Sequence, residues 1–153
     1  MMEIKKILFP YDLSENALKM VPCVLSVAKA YNSTICLLHV VQDLHKWGKV
    51  YIPHASMDVF QKEAIEGAEK AMERVCEESA FGEQGYPKLE KKVVSGDPAT
   101  EILKTIETED IDLVIMGTHG RKGLEHIILG SVAGSVVKKS PVPVMTVNPS
   151  KLK

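Results

Sequence analysis

Five short apolar runs punctuate the 153-residue chain, and most segments between them repeat apolar residues at helical period. The first run, IKKILFP, stops at Pro10. Ser14 follows as an N-cap, and Ala17, Leu18, Val21, Val24, Leu25 and Ala28 then fall on one face of a helix over ENALKMVPCVLSVAKAY. Pro22 has no amide for the i to i−4 ladder, so it is expected to kink that helix or open it locally. The second run, STICLLHVV, is β-branched and aliphatic, and QDLHKWGKVYIPHASM after it, with Gly48 and Pro53, reads as a loop. DVFQKEAIEGAEKAMERVCEES then repeats Phe60, Ala64, Ala68, Ala71, Met72 and Val75, which predicts a long amphipathic helix.

The third run, KLEKKVVS, is the most polar, as suits an edge strand. Asp97 can cap the next helix, with Pro98 at its first position and Ile102, Leu103 and Ile106 as its buried stripe. IDLVIMG is nearly all apolar and reads as a strand buried on both faces. A glycine-rich loop follows, then a helix over Ser131 to Lys139, then SPVPVMTVNP, whose Pro141 and Pro143 restrict its start to the edge of a sheet. Strand and helix in alternation predict right-handed βαβ units, hence an α/β fold with an open five-stranded parallel sheet and helices on both faces. The alternation does not choose between strand orders 3-2-1-4-5 and 2-1-3-4-5. The length, with no repeat or low-complexity linker, predicts one domain over residues 1 to 153.

Nineteen basic and 20 acidic side chains leave a formal charge of −1, so no overall field draws the chain to nucleic acid or anionic lipid. Any phosphate must be held locally. Cys23, Cys36 and Cys76 are widely spaced and odd in number, which argues against a disulfide framework or zinc knuckle and for inert thiols in a reducing cytoplasm. The N-terminus lacks the apolar stretch of a signal peptide, and no segment has the length of a membrane span; a cytoplasmic protein without membrane partners is expected.

The stretch GTHGRKGLEHIILGS, residues 117 to 131, carries the candidate chemistry. A helix N-terminus presents unpaired amides and a partial positive charge, enough to bind phosphate without a basic side chain. Gly130 lets a phosphate lie against the backbone there, and the Ser131 hydroxyl can bond its oxygen or an attached metal. Gly117 and Gly120 would leave room for a sugar and further phosphates; the plain alternative is that they serve a tight turn and close packing. His119 lies in the same loop and can hydrogen-bond phosphate. Asp12, just past the first strand, can accept from an adenine amino group or ribose hydroxyl, or else cap the helix beside Ser14. Neither G-x-x-x-x-G-K-[ST] nor a dinucleotide G-x-G-x-x-G after the first strand is present.

FPYDLSENA, LLHVV, VVSGDPATEIL and MGTHGRKGLEHIILGSVAGSVVKKSPVPVMTV together resemble the universal stress protein family over essentially the whole chain. The distinguishing element is Gly-x-x-Gly, nine residues, Gly-Ser, met by Gly117, Gly120, Gly130 and Ser131, which marks the ATP-binding branch. The resemblance implies the 3-2-1-4-5 order of an adenine nucleotide alpha hydrolase-like fold, with ATP across the switch point. It further implies that Pro10 and Asp12 face the nucleoside, Val40 meets adenine through its backbone, and Met116 and Gly117 line the ribose. Gly120, Gly130, Ser131 and Val132 would hold the phosphates with Mg2+ or Mn2+, Ser131 being the metal-side residue. Arg121 is either solvated or reaches a γ-phosphate. The family also implies a homodimer through the last strand, Val142 to Val147.

His39, His45, His54 and His126 lack metal-site spacing and read as ordinary residues. Trp47 and Tyr51 fall in the loop after the second strand, as a lid, a partner surface or simple packing. No acid or glutamine is forced by position to orient water for phosphoryl transfer. The sequence therefore favours a nucleotide-regulated binding protein with at most slow hydrolysis. An ATPase or phosphotransferase and a nucleotide-independent dimeric scaffold are the alternatives.

Overall fold

The computed structural model describes residues 1–47, 53–119 and 129–152. Its elements in order are β1 (Lys6–Pro10), α1 (Glu15–Tyr31), β2 (Thr34–Gln42), a 3-10 turn (Leu44–Trp47), α2 (His54–Glu78), α3 (Ala80–Glu83), β3 (Leu89–Gly96), α4 (Pro98–Thr108), β4 (Leu113–Gly117), α5 (Ser131–Lys139), β5 (Val144–Val147) and a closing 3-10 turn (Pro149–Lys151). The sheet is parallel with order β3-β2-β1-β4-β5, the first of the two candidate orders. The polar third run is an edge strand, as expected, and β5 forms the other edge.

Alternation along the central strands sorts side chains into two core layers, an upper one with α1 to α3 and a lower one with α4 and α5. Ile7, Phe9, Ile35, Leu37, Leu113 and Ile115 pack on one face with Val21, Val24 and Leu25 of α1, Met72 of α2 and Phe81 of α3. Leu8, Cys36, Leu38, Val114 and Met116 pack on the other with Ile102 and Ile106 of α4 and Ala133 and Val136 of α5. Burial pushes the Cys36 thiol up to about 11, with nearby Lys6 pulling weakly the other way, so it stays protonated and inert as expected of it. The helix starts follow the sequence: the Ser14 hydroxyl accepts from the Ala17 amide at 3.2 Å, and Asp97 accepts from the Thr100 amide at 3.0 Å.

Helix α1 spans Pro22 as one element, with Pro22 on the exposed side, where water can serve the Leu18 carbonyl that loses its amide partner. Two local expectations need correction. Helix α2 begins at His54, four residues before the expected start, and the loop read before it contains the 3-10 turn. Its inward stripe is Met57, Gln61, Ala68 and Met72, whereas Phe60 is 54% exposed. Gln61 can occupy the inner position because its carbonyl oxygen accepts from the Leu44 amide at 3.1 Å and its nitrogen donates to the Ser95 hydroxyl at 2.8 Å. Short α3 had no apolar period to reveal it.

Gly67 lies inside α2 with open space where a Cβ would project. Gly67→Ala is expected to raise stability by about 0.5 to 1 kcal/mol through lost unfolded-state freedom, read as a higher urea midpoint at unchanged m-value. Among the described residues no helix is long and apolar enough to cross a membrane.

Candidate functional site

The winding of the sheet reverses between β1 and β4, and ligands of open α/β sheets sit beyond the carboxyl ends at such a point. β1 pairs with β2 through all five residues, from Lys6↔Thr34 to Pro10↔Leu38. Against β4 it pairs only at Ile7↔Leu113 and Leu8↔Val114. Pro10, the next position that would donate to β4, has no amide, so the ladder ends there, and the switch-point crevice lies beyond the carboxyl ends of the two strands. Pro10 and Asp12 stand on one wall, Met116 and Gly117 on the other.

Beyond Pro10 the chain adds one ladder bond, the Tyr11 amide donating to the Leu38 carbonyl at 2.7 Å, and then turns. Tyr11 packs its ring edge-on to Phe9, centroids 5.6 Å apart, and burial, helped by Asp12, pushes its phenol up to about 12. Asp12 Oδ1 accepts from the Ser14 amide at 3.0 Å and from the Ser14 hydroxyl. The Ser14 hydroxyl caps α1, and these contacts of Asp12 build the turn before it. Leu13 between them has φ 62°, a left-handed conformation that costs a leucine roughly 1 to 2 kcal/mol and so marks a turn fixed by its surroundings.

The β2 wall has a feature the sequence reading missed. In a parallel ladder the Tyr11 carbonyl would accept from the Val40 amide. Instead the His39 ring donates from Nδ1 to that carbonyl at 2.7 Å. Val40, whose backbone alternation turns it toward β1 rather than β3, consequently presents its N–H and C=O past the end of β1, with no backbone partner for that amide among the described residues. His39 was read as ordinary, and the only signal was its place next to the strand end.

On the far wall, the Thr118 amide donates to the Val147 carbonyl at 2.9 Å, and the Thr118 carbonyl accepts from the Gly130 amide at 2.7 Å. Thr118 Oγ1 and His119 Nδ1 are 2.8 Å apart, which holds the imidazole against the loop. A Cβ on Gly117 would lie 3.2 Å from the His119 carbonyl oxygen and 3.3 Å from Met20 Sδ; one on Gly130 would lie 3.3 Å from the Thr118 carbonyl oxygen. Gly117 thus has the close-packing reason given as its plain alternative, and Gly130 has a similar one, since a Cβ on either would press on a loop carbonyl.

Gly130 is the N-cap of α5, and no side chain among the described residues caps that helix. Thr118 takes the Gly130 amide, leaving those of Ser131, Val132 and Ala133 as the first-turn donors. Ser131 is exposed, and Val132 packs its side chain against the lower core layer. Gly120, Arg121, Tyr51 and His126 lie outside the described residues. No group of three His, Cys, Asp or Glu among the described residues is placed to hold a metal ion. The depressions along α2, one of about 410 Å³ lined by His45 and Gln61 among others, are away from this crevice.

An open parallel sheet of order 3-2-1-4-5 with helices on both faces and its switch point between β1 and β4 defines a doubly wound α/β protein. Residues 3–148 match the universal stress protein family, and the chain belongs to that family. Universal stress protein MJ0531 of Methanocaldococcus jannaschii is 32% identical over 148 residues, 96% of this chain and 84% of that protein. Universal stress protein MJ0577 of the same organism is 34% identical over 159 residues, 94% of each chain. The solved structure of MJ0577 superposes with a TM-score of 0.77, covering 97% of each chain. The same fold appears at 20% identity and TM-score 0.60 in a universal stress protein solved in complex with cAMP, covering 96% of this chain and 98% of that one. It appears again at 15% identity and TM-score 0.58 in one from Archaeoglobus fulgidus in complex with dAMP, covering 97% and 100%.

Proposed function

We propose that this protein binds an adenine nucleotide, ATP, in the crevice between β1 and β4, and that the bound nucleotide biases a homodimer or a partner surface in the cytoplasm. The observation that carries the reading is the switch point between β1 and β4 beside the first turn of α5, which no side chain among the described residues caps. Its support from relatives is that two proteins of this fold are described in complex with cAMP and dAMP.

The chemistry fits the parts. Val40 offers a backbone donor and acceptor side by side, the complement of adenine's amino group and ring nitrogen, and this pair discriminates adenine by hydrogen bonding without a charged side chain. Pro10 and Asp12 flank the nucleoside, and Met116 and Gly117 the ribose. The amides of Ser131 and Val132, with Gly130 and His119, face the phosphates, where the α5 dipole favours negative charge. Gly120 belongs to the same phosphate set by the glycine spacing, and Arg121 is either solvated or directed at the γ-phosphate. A divalent cation, Mg2+ or Mn2+, would neutralise phosphate charge, and the Ser131 hydroxyl is the protein group that would hold it. The dimer forms through Val142 to Val147, since β5 is an open edge with Met145 exposed.

Denaturing freshly purified protein and identifying the released small molecule by mass spectrometry tests the reading. An adenine nucleotide is expected. Protein stripped of it should gain about 2.7 kcal/mol when MgATP reaches a hundredfold its dissociation constant, seen as a raised melting temperature. No released nucleotide together with an unmoved melting temperature in MgATP would overturn the assignment.

A further inference from the structure

A second cluster, outside the crevice, joins the segment after β2 to helix α2. His45 in the 3-10 turn places Nδ1 3.1 Å from Asp43 Oδ1 and Nε2 2.8 Å from Asp58 Oδ1. Asp43 is the residue after β2, and Asp58 is in the second turn of α2. An ionised carboxylate only accepts hydrogen bonds, so a ring that serves both carboxylates must donate from both nitrogens, which only the imidazolium can do. We propose that His45 is a pH-operated clasp that fastens the segment after β2 to helix α2 when protonated and releases Asp58 when neutral.

The side that opens follows from the contacts. Asp43 Oδ1 also accepts the His45 backbone amide at 3.0 Å, so it stays beside the ring in either state. Neutral imidazole donates from one nitrogen only, and the unsupported partner is Asp58, whose side chain is 70% exposed. The neighbouring tie, the Leu44 amide to Gln61, has no titrating member and persists through the change. Among the described residues the charged groups around the ring are Asp43 and Lys46 from its own segment and Asp58, Lys62 and Glu66 from α2, with Asp97 at the start of α4 close enough to influence Asp43's neighbour Lys46. The two carboxylates in hydrogen-bond contact dominate this set, and they raise the His45 pKa above its ordinary 6.5, Asp58 first and Asp43 second.

A folded-state pKa above the unfolded value makes the clasp complete below pH 6.5 and lost as pH rises through the raised value. The pairs are exposed, so salt weakens them and the test belongs at low ionic strength. It does not depend on the crevice holding a nucleotide. The His45 ring is titrated by NMR in the full chain, alongside the backbone amides of Lys46 and Asp58. The wild-type ring is expected to titrate above 6.5, both amides moving with the same midpoint, and Asp58→Asn should lower that midpoint. In His45→Gln the two amides should lose the transition, which separates the clasp from carboxylates titrating on their own. A wild-type midpoint at or below 6.5, a midpoint unchanged by Asp58→Asn, or amide transitions that survive in His45→Gln would each overturn the proposal.

Discussion

Replacing Gly82 with alanine is expected to cost the fold about 3 kcal/mol, the upper part of the range for forcing atoms into a packed interior. Gly82 sits in α3 where the chain folds back against the end of α2, and a Cβ there would lie 1.9 Å from the Glu77 carbonyl oxygen and 2.5 Å from its carbon. Those are backbone atoms, so no side-chain rotation relieves the overlap. The remaining escape is for α3 to move off α2, but the residue before Gly82 is Phe81, which is 1% exposed and anchors α3 in the upper core layer. Moving α3 would bring that ring into water at roughly 1.5 to 3 kcal/mol, so both routes cost about the same. In a chain of this length the loss corresponds to a melting temperature lower by roughly 6 to 12 °C. Thermal and urea unfolding of Gly82→Ala check it, and a shift under about 2 °C would mean that α3 does not pack on α2 as described.

Gly82 also marks where the sequence stops being readable. Signals that act within a few residues were legible: the caps at Ser14 and Asp97, Pro98 at a first helical position, and the fully apolar β4 each follow from local chemistry. The strand order was not, because alternation of strands and helices is common to both orders, and only the resemblance chose between them. Where a polar side chain finds distant partners, the periodic reading failed: Gln61 turns inward on Leu44 and Ser95 while Phe60 faces solvent. The α3 turn lacks a period altogether, and its one core ring, Phe81, looks in sequence like any loop aromatic.

The candidate site divides the same way. The places of its residues along the chain were legible: Pro10 and Asp12 stand at the carboxyl end of β1, Met116 and Gly117 at that of β4, and Gly130 is tied to Thr118 just beyond. Their contacts were not. That a Cβ on Gly117 would press on Met20 Sδ, or one on Gly130 on the Thr118 carbonyl, depends on contacts distant in sequence, and that the His39 ring takes the Tyr11 carbonyl in place of the Val40 amide depends on where β1 ends. Such facts reside in tertiary geometry, which a linear spacing of glycines underdetermines.

Ser131 offers the sharpest trial of the proposed nucleotide, because stability and binding should respond to it in opposite directions. It occupies the first position of α5, is exposed, and its side chain caps nothing among the described residues. Ser131→Ala should therefore leave stability within about 0.5 kcal/mol of the parent. If the hydroxyl bonds a phosphate or its cation, losing a hydrogen bond to a charged group costs about 1.5 to 3 kcal/mol of affinity, or roughly 10- to 100-fold. Ser131→Asp goes further. A carboxylate in the first turn of a helix that has no other acid there improves the interaction with the dipole by about 0.3 to 1 kcal/mol, so the protein should melt slightly higher. The same charge stands where the phosphates would lie, and like charges in that position should bring ATP binding below calorimetric detection. A helix start that merely solvates its amides would give the stability gain alone. Calorimetry on nucleotide-free protein with MgATP reads both variants, and undiminished binding in Ser131→Asp would remove polyphosphate from the mouth of α5.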